Sequence, residues 1–221
     1  MTGAATSMPP PGRLIVLSAP SGSGKTTVAR LLTERVPGLV RSVSYTTRGR
    51  RATETDGVDY HFVDDATFRS MADADAFLEW AEIYGQMYGT GREATQAVLA
   101  AGDDLLLVID VQGARWVSKR EPAALRLFLL PPGYEALAER LHRRGTESTG
   151  TEAERLAAAC DEIRAWTEYD YLVINDNVDV AGTAAEAIIR GARQTRDRMM
   201  AAAEAVARTF PTPARGQEID A

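Results

Sequence analysis

The chain has one cysteine, two histidines, His61 and His142, and fewer basic than acidic residues. A lone thiol, Cys160, cannot close an intrachain disulfide, which excludes a cross-linked secreted framework and points to a reducing compartment. Cys160 itself reads as a small core residue. Two isolated histidines cannot supply the clustered ligands of a zinc site. The net charge of −6 excludes nucleic acid and anionic membrane as partners, because those contacts draw on surplus Lys and Arg. Long apolar runs are missing as well. The most apolar stretch, residues 105–111, falls far short of the roughly 20 residues of a membrane helix and is broken by Asp110. Residues 1–12 are small, polar and Pro-rich and lack the basic start and apolar run of a signal peptide. They read as a disordered extension on a cytoplasmic protein.

With 45% apolar and 25% charged residues, the chain can build one sizeable core, and its length suits one domain with smaller insertions. Residues 13–18 form a Leu- and β-branched-rich run that enters a Gly/Ser turn, and residues 26–36 follow with apolar spacing of a helix at Val28, Leu31, Leu32 and Val36. The alternation returns at residues 105–109, 125–130 and 171–174, each followed by helical spacing or helix-start residues, which predicts an α/β fold with a parallel sheet and crossover helices. Between residues 41 and 91 the pattern changes to short aromatic-rich strands (59–63 and 77–84) around a helix at 64–72, read as an inserted α+β sub-domain. Residues 133–144 and 151–167 have helical spacing on either side of a basic, Gly-containing connection, a combination that suggests a mobile lid over about 133–167. The core is then 13–40, 92–132 and 168–207. Ala-rich residues 181–207 predict one long helix, and 208–221 a disordered tail. Trp80, Trp116 and Trp166 read as core or interface residues.

The most specific local signal is Ala19-Pro20-Ser21-Gly22-Ser23-Gly24-Lys25-Thr26, which matches the phosphate-loop pattern Gly-x-x-x-x-Gly-Lys-[Ser/Thr] except for alanine at the first position. Gly22 and Gly24 let backbone N–H groups turn inward around phosphate oxygens, and the helix that follows adds positive partial charge. Lys25 can reach the β- and γ-phosphates, and the Thr26 hydroxyl can bind Mg²⁺. A flexible Gly/Ser turn is the plain alternative, but the preceding strand and following helix are the context the motif requires. Alanine at position 19 is harmless only if the backbone angle φ there is negative.

The segments Ser42 to Arg48 (SVSYTTR), Asp56 to Phe62 (DGVDYHF), Phe77 to Glu82 (FLEWAE) and Tyr88-Gly89-Thr90 resemble, in the right order, those of guanylate kinases. So do Ile109 to Ala114 (IDVQGA), Arg140 to Glu147 (RLHRRGTE), Tyr169-Asp170-Tyr171 and Val173 to Asp176 (VIND). This resemblance, over about residues 13–190, implies a P-loop kinase that uses ATP with GMP and dGMP as acceptors, with Mg²⁺ arriving on ATP. It implies donor contacts from Ala19 through Thr27 and from Asn175. It also implies that Ser44, Glu79, Thr90 and Asp110 surround the guanine, and that Arg48, Arg51, Tyr60 and Tyr88 hold the acceptor phosphate. Arg140, Arg144 and Arg155 would be lid arginines acting with Lys25 and Arg48 on the transferring group. An ionised Glu79 can accept from guanine N1–H and the exocyclic amine, and a site built for such bonds rejects other bases by ~10⁴-fold. Paired Arg forks suit a phosphate monoester. A solvated strand carboxylate and solvated helix-face arginines are the plain alternatives.

The chain departs from the family pattern in three places. It lacks a proline before Arg51 and a glycine before Glu54, and Val108 stands where an acidic or polar-tolerant position precedes Asp110. Asp110 is therefore expected to be the only carboxylate at that strand end. Two other readings remain open: a P-loop kinase of a ribose bisphosphate, and a non-catalytic phosphopeptide-binding scaffold.

Overall fold

In the computed structural model, which describes residues 11–143 and 152–211, the elements in chain order begin with β1 (Leu14–Ser18), α1 (Lys25–Arg35), β2 (Leu39–Arg41), β3 (Ser44–Thr46) and β4 (Tyr60–Phe62). Next come α2 (Asp65–Asp73), β5 (Phe77–Ile83), β6 (Gln86–Gly91), α3 (Arg92–Ala100), β7 (Asp104–Val108) and α4 (Val111–Arg120). The chain continues with β8 (Leu125–Leu130), α5 (Tyr134–Arg143), α6 (Glu152–Glu162), a 3₁₀ turn (Ile163–Glu168), β9 (Tyr171–Ile174), α7 (Val178–Arg193) and α8 (Arg196–Ala207).

β1 is buried along its whole length, as an unbroken Leu/Ile/Val run must be when helices cover both faces of a parallel strand. It sits at the centre of a five-stranded sheet of order β2-β7-β1-β8-β9 in which every pairing is parallel. One face packs Ile15, Leu17 and Leu127 against Val28 and Leu32 of α1 and Ala185 and Ile189 of α7. The other packs Val16 and Leu107 against Val117 of α4. The carboxyl ends of these strands share one edge, where α/β proteins place their ligands.

Residues 44–91 carry a second sheet of order β4-β3-β6-β5, with β3 and β4 parallel and the other pairs antiparallel. Its own small core is Phe68, Phe77 and Met87. Tyr84 and Gly85 both have positive φ, 50° and 72°, the combination that a two-residue hairpin turn between β5 and β6 demands. Asp64 caps α2 by accepting a hydrogen bond from the Thr67 amide at 2.7 Å.

Several expectations are corrected. The helix expected over 181–207 is two, α7 and α8, because the backbone is extended at Thr195. α7 buries Ala181, Ala185, Ile189 and Ala192, whereas α8 adds no buried side chain among the described residues. The helix expected at 151–167 ends at Glu162 and tightens into the 3₁₀ turn. Cys160 is exposed, since α6 turns Ala159 inward against Leu137 and Leu141 instead. Trp80, Trp116 and Trp166 are each at least 40% exposed, so none is a core residue. Among the described residues no helix is long and apolar enough to cross a membrane.

Candidate active site

The turn from β1 into α1 is shaped by two glycines in the left-handed region, Gly22 at φ 85° and Gly24 at φ 86°. Ala19 is buried and is absent from the positive-φ residues, so alanine at the first motif position carries no backbone strain. A Cβ on Gly24 would come within 2.5 Å of Asn175 Nδ2, which donates to the Ser23 carbonyl at 2.8 Å. Asn175, just past the end of edge strand β9, therefore locks the loop in place. Lys25 Nζ lies 3.0 Å from the Ile109 carbonyl, held along the loop's open side. The cleft over this loop measures about 200 Å³ and is walled by Ala19 through Thr26, the hairpin residues Ile83 and Tyr84, Asp110 and Glu162.

A larger cavity of about 380 Å³ opens beside it between the two sheets. It brings together Ser44, Arg48, Arg51, Tyr60 and Tyr88, with Thr26, Thr27, Arg41, Ser42, Glu54, Asp59 and Val108 completing the wall. Arg48 donates to Glu54 at 2.7 Å, and its guanidinium carbon stands 5.4 Å from the Tyr60 ring centroid. The Arg51 amide donates to the other Glu54 oxygen at 2.9 Å. Burial works to raise the Glu54 carboxyl, but these bonds and the two arginine charges hold it below the ordinary carboxylate range. Burial likewise raises the Tyr60 hydroxyl, so it stays a donor at neutral pH. Glu54 was not singled out in the sequence; its only signal is an acid within six residues of Arg48 in an Arg-rich turn.

Glu79 and Thr90 sit deeper, on adjacent antiparallel strands, both buried. The Thr90 hydroxyl donates to Glu79 Oε1 at 2.6 Å. Glu79 Oε2 lies 2.6 Å from where a Cβ of Gly113 would be, so only glycine lets the first turn of α4 approach this carboxylate. Burial pushes Glu79 up to about 7; the Thr90 hydrogen bond opposes the rise and the nearby Asp110 charge adds to it. A carboxyl expected to be ionised is thus close to half-protonated at neutrality. Asp110 follows β7 and caps α4, accepting from the Gln112 amide at 2.6 Å and the Gly113 amide at 3.1 Å.

Asp110 is the carboxylate that follows β7, and it shares the cleft over the loop with a second one carried by α6. Glu162, 141 residues from the loop in sequence, accepts from the Ser21 amide at 3.1 Å. Burial raises Glu162, the Ser21 bond and the Lys25 charge pull it down, and the Asp110 charge raises it again, with a net upward shift. No local pattern marks it, since the contact spans most of the chain. Of the three proposed lid arginines, Arg155 is buried on α6, and Arg140 donates to the carbonyls of Asn175 at 3.0 Å and Asp176 at 3.3 Å. Arg144 lies outside the described residues. No cluster of three or more His, Cys, Asp or Glu stands ready to hold a metal among the described residues.

The family model described as guanylate kinase matches residues 11–192. A guanylate kinase of Rhodopseudomonas palustris is 45% identical over 190 residues, covering 86% of this chain and 87% of that protein. One of Sphingopyxis alaskensis is 47% identical over 190 residues, with 86% of each chain covered. The crystal structure of guanylate kinase from Anaplasma phagocytophilum superimposes with a TM-score of 0.73 at 32% identity, covering 87% of this chain and 92% of that one. A phosphate loop abutting a second polar cavity, within a chain matched over most of its length, leads to one conclusion: the chain belongs to the guanylate kinase family of ATP-dependent nucleoside monophosphate kinases.

Proposed function

We propose that the two clefts are the donor and acceptor sites for transfer of the γ-phosphoryl group of ATP to GMP. The observation that carries this reading is Thr26, the second residue of α1, which lines both clefts. Groups bound on either side of it face each other, and positioning of that kind supplies much of the rate in phosphoryl transfer.

On the donor side the amides of Gly22 through Thr27 cradle the phosphates, Lys25 neutralises the β- and γ-oxygens, and Asn175 keeps the loop shaped. The oxygen donors of this cleft suit Mg²⁺, which the Thr26 hydroxyl and the Asp110 carboxylate would hold as it arrives with the nucleotide. Bound there, the ion would draw charge from the transferring phosphoryl group. On the acceptor side Arg48, Arg51, Tyr60 and Tyr88 grip the GMP phosphate; Glu54 holds the two arginines in place. Glu79, with Ser44, Thr90 and Asp110 around it, reads the base. Arg140 and Arg155 add positive charge when α5 and α6 move over the transferring group, and Arg140 must first leave the Asn175 and Asp176 carbonyls. Residues 41–91 act as the acceptor sub-domain. The lone exposed thiol fits a cytoplasmic setting.

ADP release with Mg²⁺·ATP, compared across GMP, AMP, UMP, CMP and a ribose bisphosphate, tests the assignment. GMP is expected to be the strong acceptor. Glu79→Gln should lower kcat/KM for GMP by about 10²-fold or more while leaving ATP affinity unchanged. Equal loss on both substrates would remove Glu79 from base reading. Lys25→Ala should abolish turnover yet bind GMP normally; turnover that survives would take the phosphate loop out of the mechanism.

A further inference from the structure

Glu162 has no part in the roles above, yet it makes direct contact with the donor loop. Its carboxylate accepts from the Ser21 amide at 3.1 Å, feels the Lys25 ammonium, and forms part of the wall of the cleft over Ala19 through Thr26. A carboxylate held by a loop amide beside a lysine has the same hydrogen-bonding and charge character as a phosphate oxygen bound there. The same environment makes its position costly. The group is more than half-buried and faces a second carboxylate, Asp110, and both facts favour its departure once another anion can satisfy the Ser21 amide and Lys25.

Glu162 is also the last residue of α6, the helix that carries Arg155. The two lie seven residues apart, about 10 Å along the axis and on nearly the same face. The hairpin residue Tyr84 senses the charges of both. Helix α6 and the tip of the β5–β6 hairpin therefore meet over the phosphate loop, and the Glu162–Ser21 bond is a hydrogen bond that ties α6 to it.

Resting on the reading of this cleft as the nucleotide-donor site, we propose that Glu162 is a positioning residue that competes with the donor phosphates for the Ser21 amide and Lys25, so that nucleotide binding and release of α6 from the loop are one event. Phosphate oxygens displace the carboxylate, and α6 is then free to bring Arg155 toward the transferring group. The exchange costs donor affinity and in return makes the arginine's approach depend on a bound nucleotide, a coupling of two sites through one bistable element.

The test is calorimetric titration of ADP, with and without Mg²⁺, into the wild type, Glu162→Gln and Glu162→Ala, alongside GMP titrations of each and thermal unfolding to establish that the variants fold. Losing the competing charge should tighten ADP binding at least about threefold in both variants. GMP affinity should stay unchanged, and KM for ATP should fall with it. Unchanged ADP affinity in folded variants overturns the proposal, as does weaker binding confined to Mg²⁺·ADP, which would make Glu162 a ligand of the ion. If the wild type itself bound no ADP, the donor-site reading would fall, and the proposal with it.

Discussion

At the scale of single residues, Glu79 shows how burial sets chemistry. Its carboxyl stands at about 7 against an ordinary 4.5. The folded state therefore binds this proton more tightly than the unfolded chain does, and the stability it contributes is fully present below about 4.5 and is lost as pH rises through about 7. Glu79→Gln is neutral throughout and has no such loss. The unfolding free energy of the variant relative to the wild type should thus rise between pH 4.5 and 7 by on the order of 3 kcal/mol and be flat outside that window. Parallel stability curves from urea titrations at a series of pH values would show that the carboxyl is not buried as described. Guanine binding calls for the ionised form, so KM for GMP in the wild type should climb as pH falls below about 7. In the variant only the second ionisation of the GMP phosphate, near ~6, should show. The ratio of the two profiles isolates Glu79.

At the scale of elements, the β1–α1 junction depends on backbone that only glycine supplies cheaply. Gly24 caps α1 at φ 86° without any side-chain hydrogen bond, and the Asn175 amide leaves no space for a methyl group. Gly24→Ala should lower stability by about 1–3 kcal/mol and weaken ADP binding together. Gly49→Ala, where nothing lies within 4 Å of the new methyl, should leave the melting temperature nearly unchanged. Similar shifts in thermal unfolding for the two would mean the loop is not held by Asn175. The division between α7 and α8 belongs to the same scale. No Pro marks it, and its one local signal is Gly191 in the last turn of α7, whose carbonyl accepts from the Gln194 amide; the Ala-rich runs on both sides favour helix. The break comes where Arg193 is anchored by Asp104 at 2.8 Å and by the carbonyls of Pro37 and Gly38, beyond which α8 finds no surface to bury against.

For the whole molecule, Asp104 joins distant parts of the chain. Its carboxylate accepts from the Arg13 amide at 2.6 Å and from Arg193 at 2.8 Å, tying the start of β1 and the end of α7 to β7. It is almost fully buried, so removing it takes the acceptor from the Arg13 amide and the counter-charge from the part-buried Arg193, which keeps only the Pro37 and Gly38 carbonyls. Asp104→Ala should cost about 3 kcal/mol, read as a lower urea midpoint at unchanged slope. Deleting residues 196–221 should change stability by less than about 1 kcal/mol, because among the described residues α8 buries nothing and contributes only the pair between Arg198 and Asp104 at 4.0 Å. A large loss on that deletion would mean α8 packs in solution against something it does not touch here.

Much of this protein is legible in the sequence because much of its chemistry is local. Gly22, Gly24, Lys25 and Thr26 carry the phosphate loop through backbone freedom and charge on adjacent residues, and the apolar runs at β1, β7 and β8 have no stable place except a strand buried on both faces. The order of segments around Arg48, Tyr60, Glu79 and Tyr88 likewise identifies the family without coordinates. Tertiary structure alone decided the rest. Ionisation of Glu79 depends on desolvation by α4 and β6, the pairing of Glu162 with Ser21 spans 141 residues, and the outward turn of Cys160 follows from which face of α6 meets α5. Each is set by packing between segments far apart in the chain, and burial of that kind leaves no periodicity or motif in the residues that undergo it.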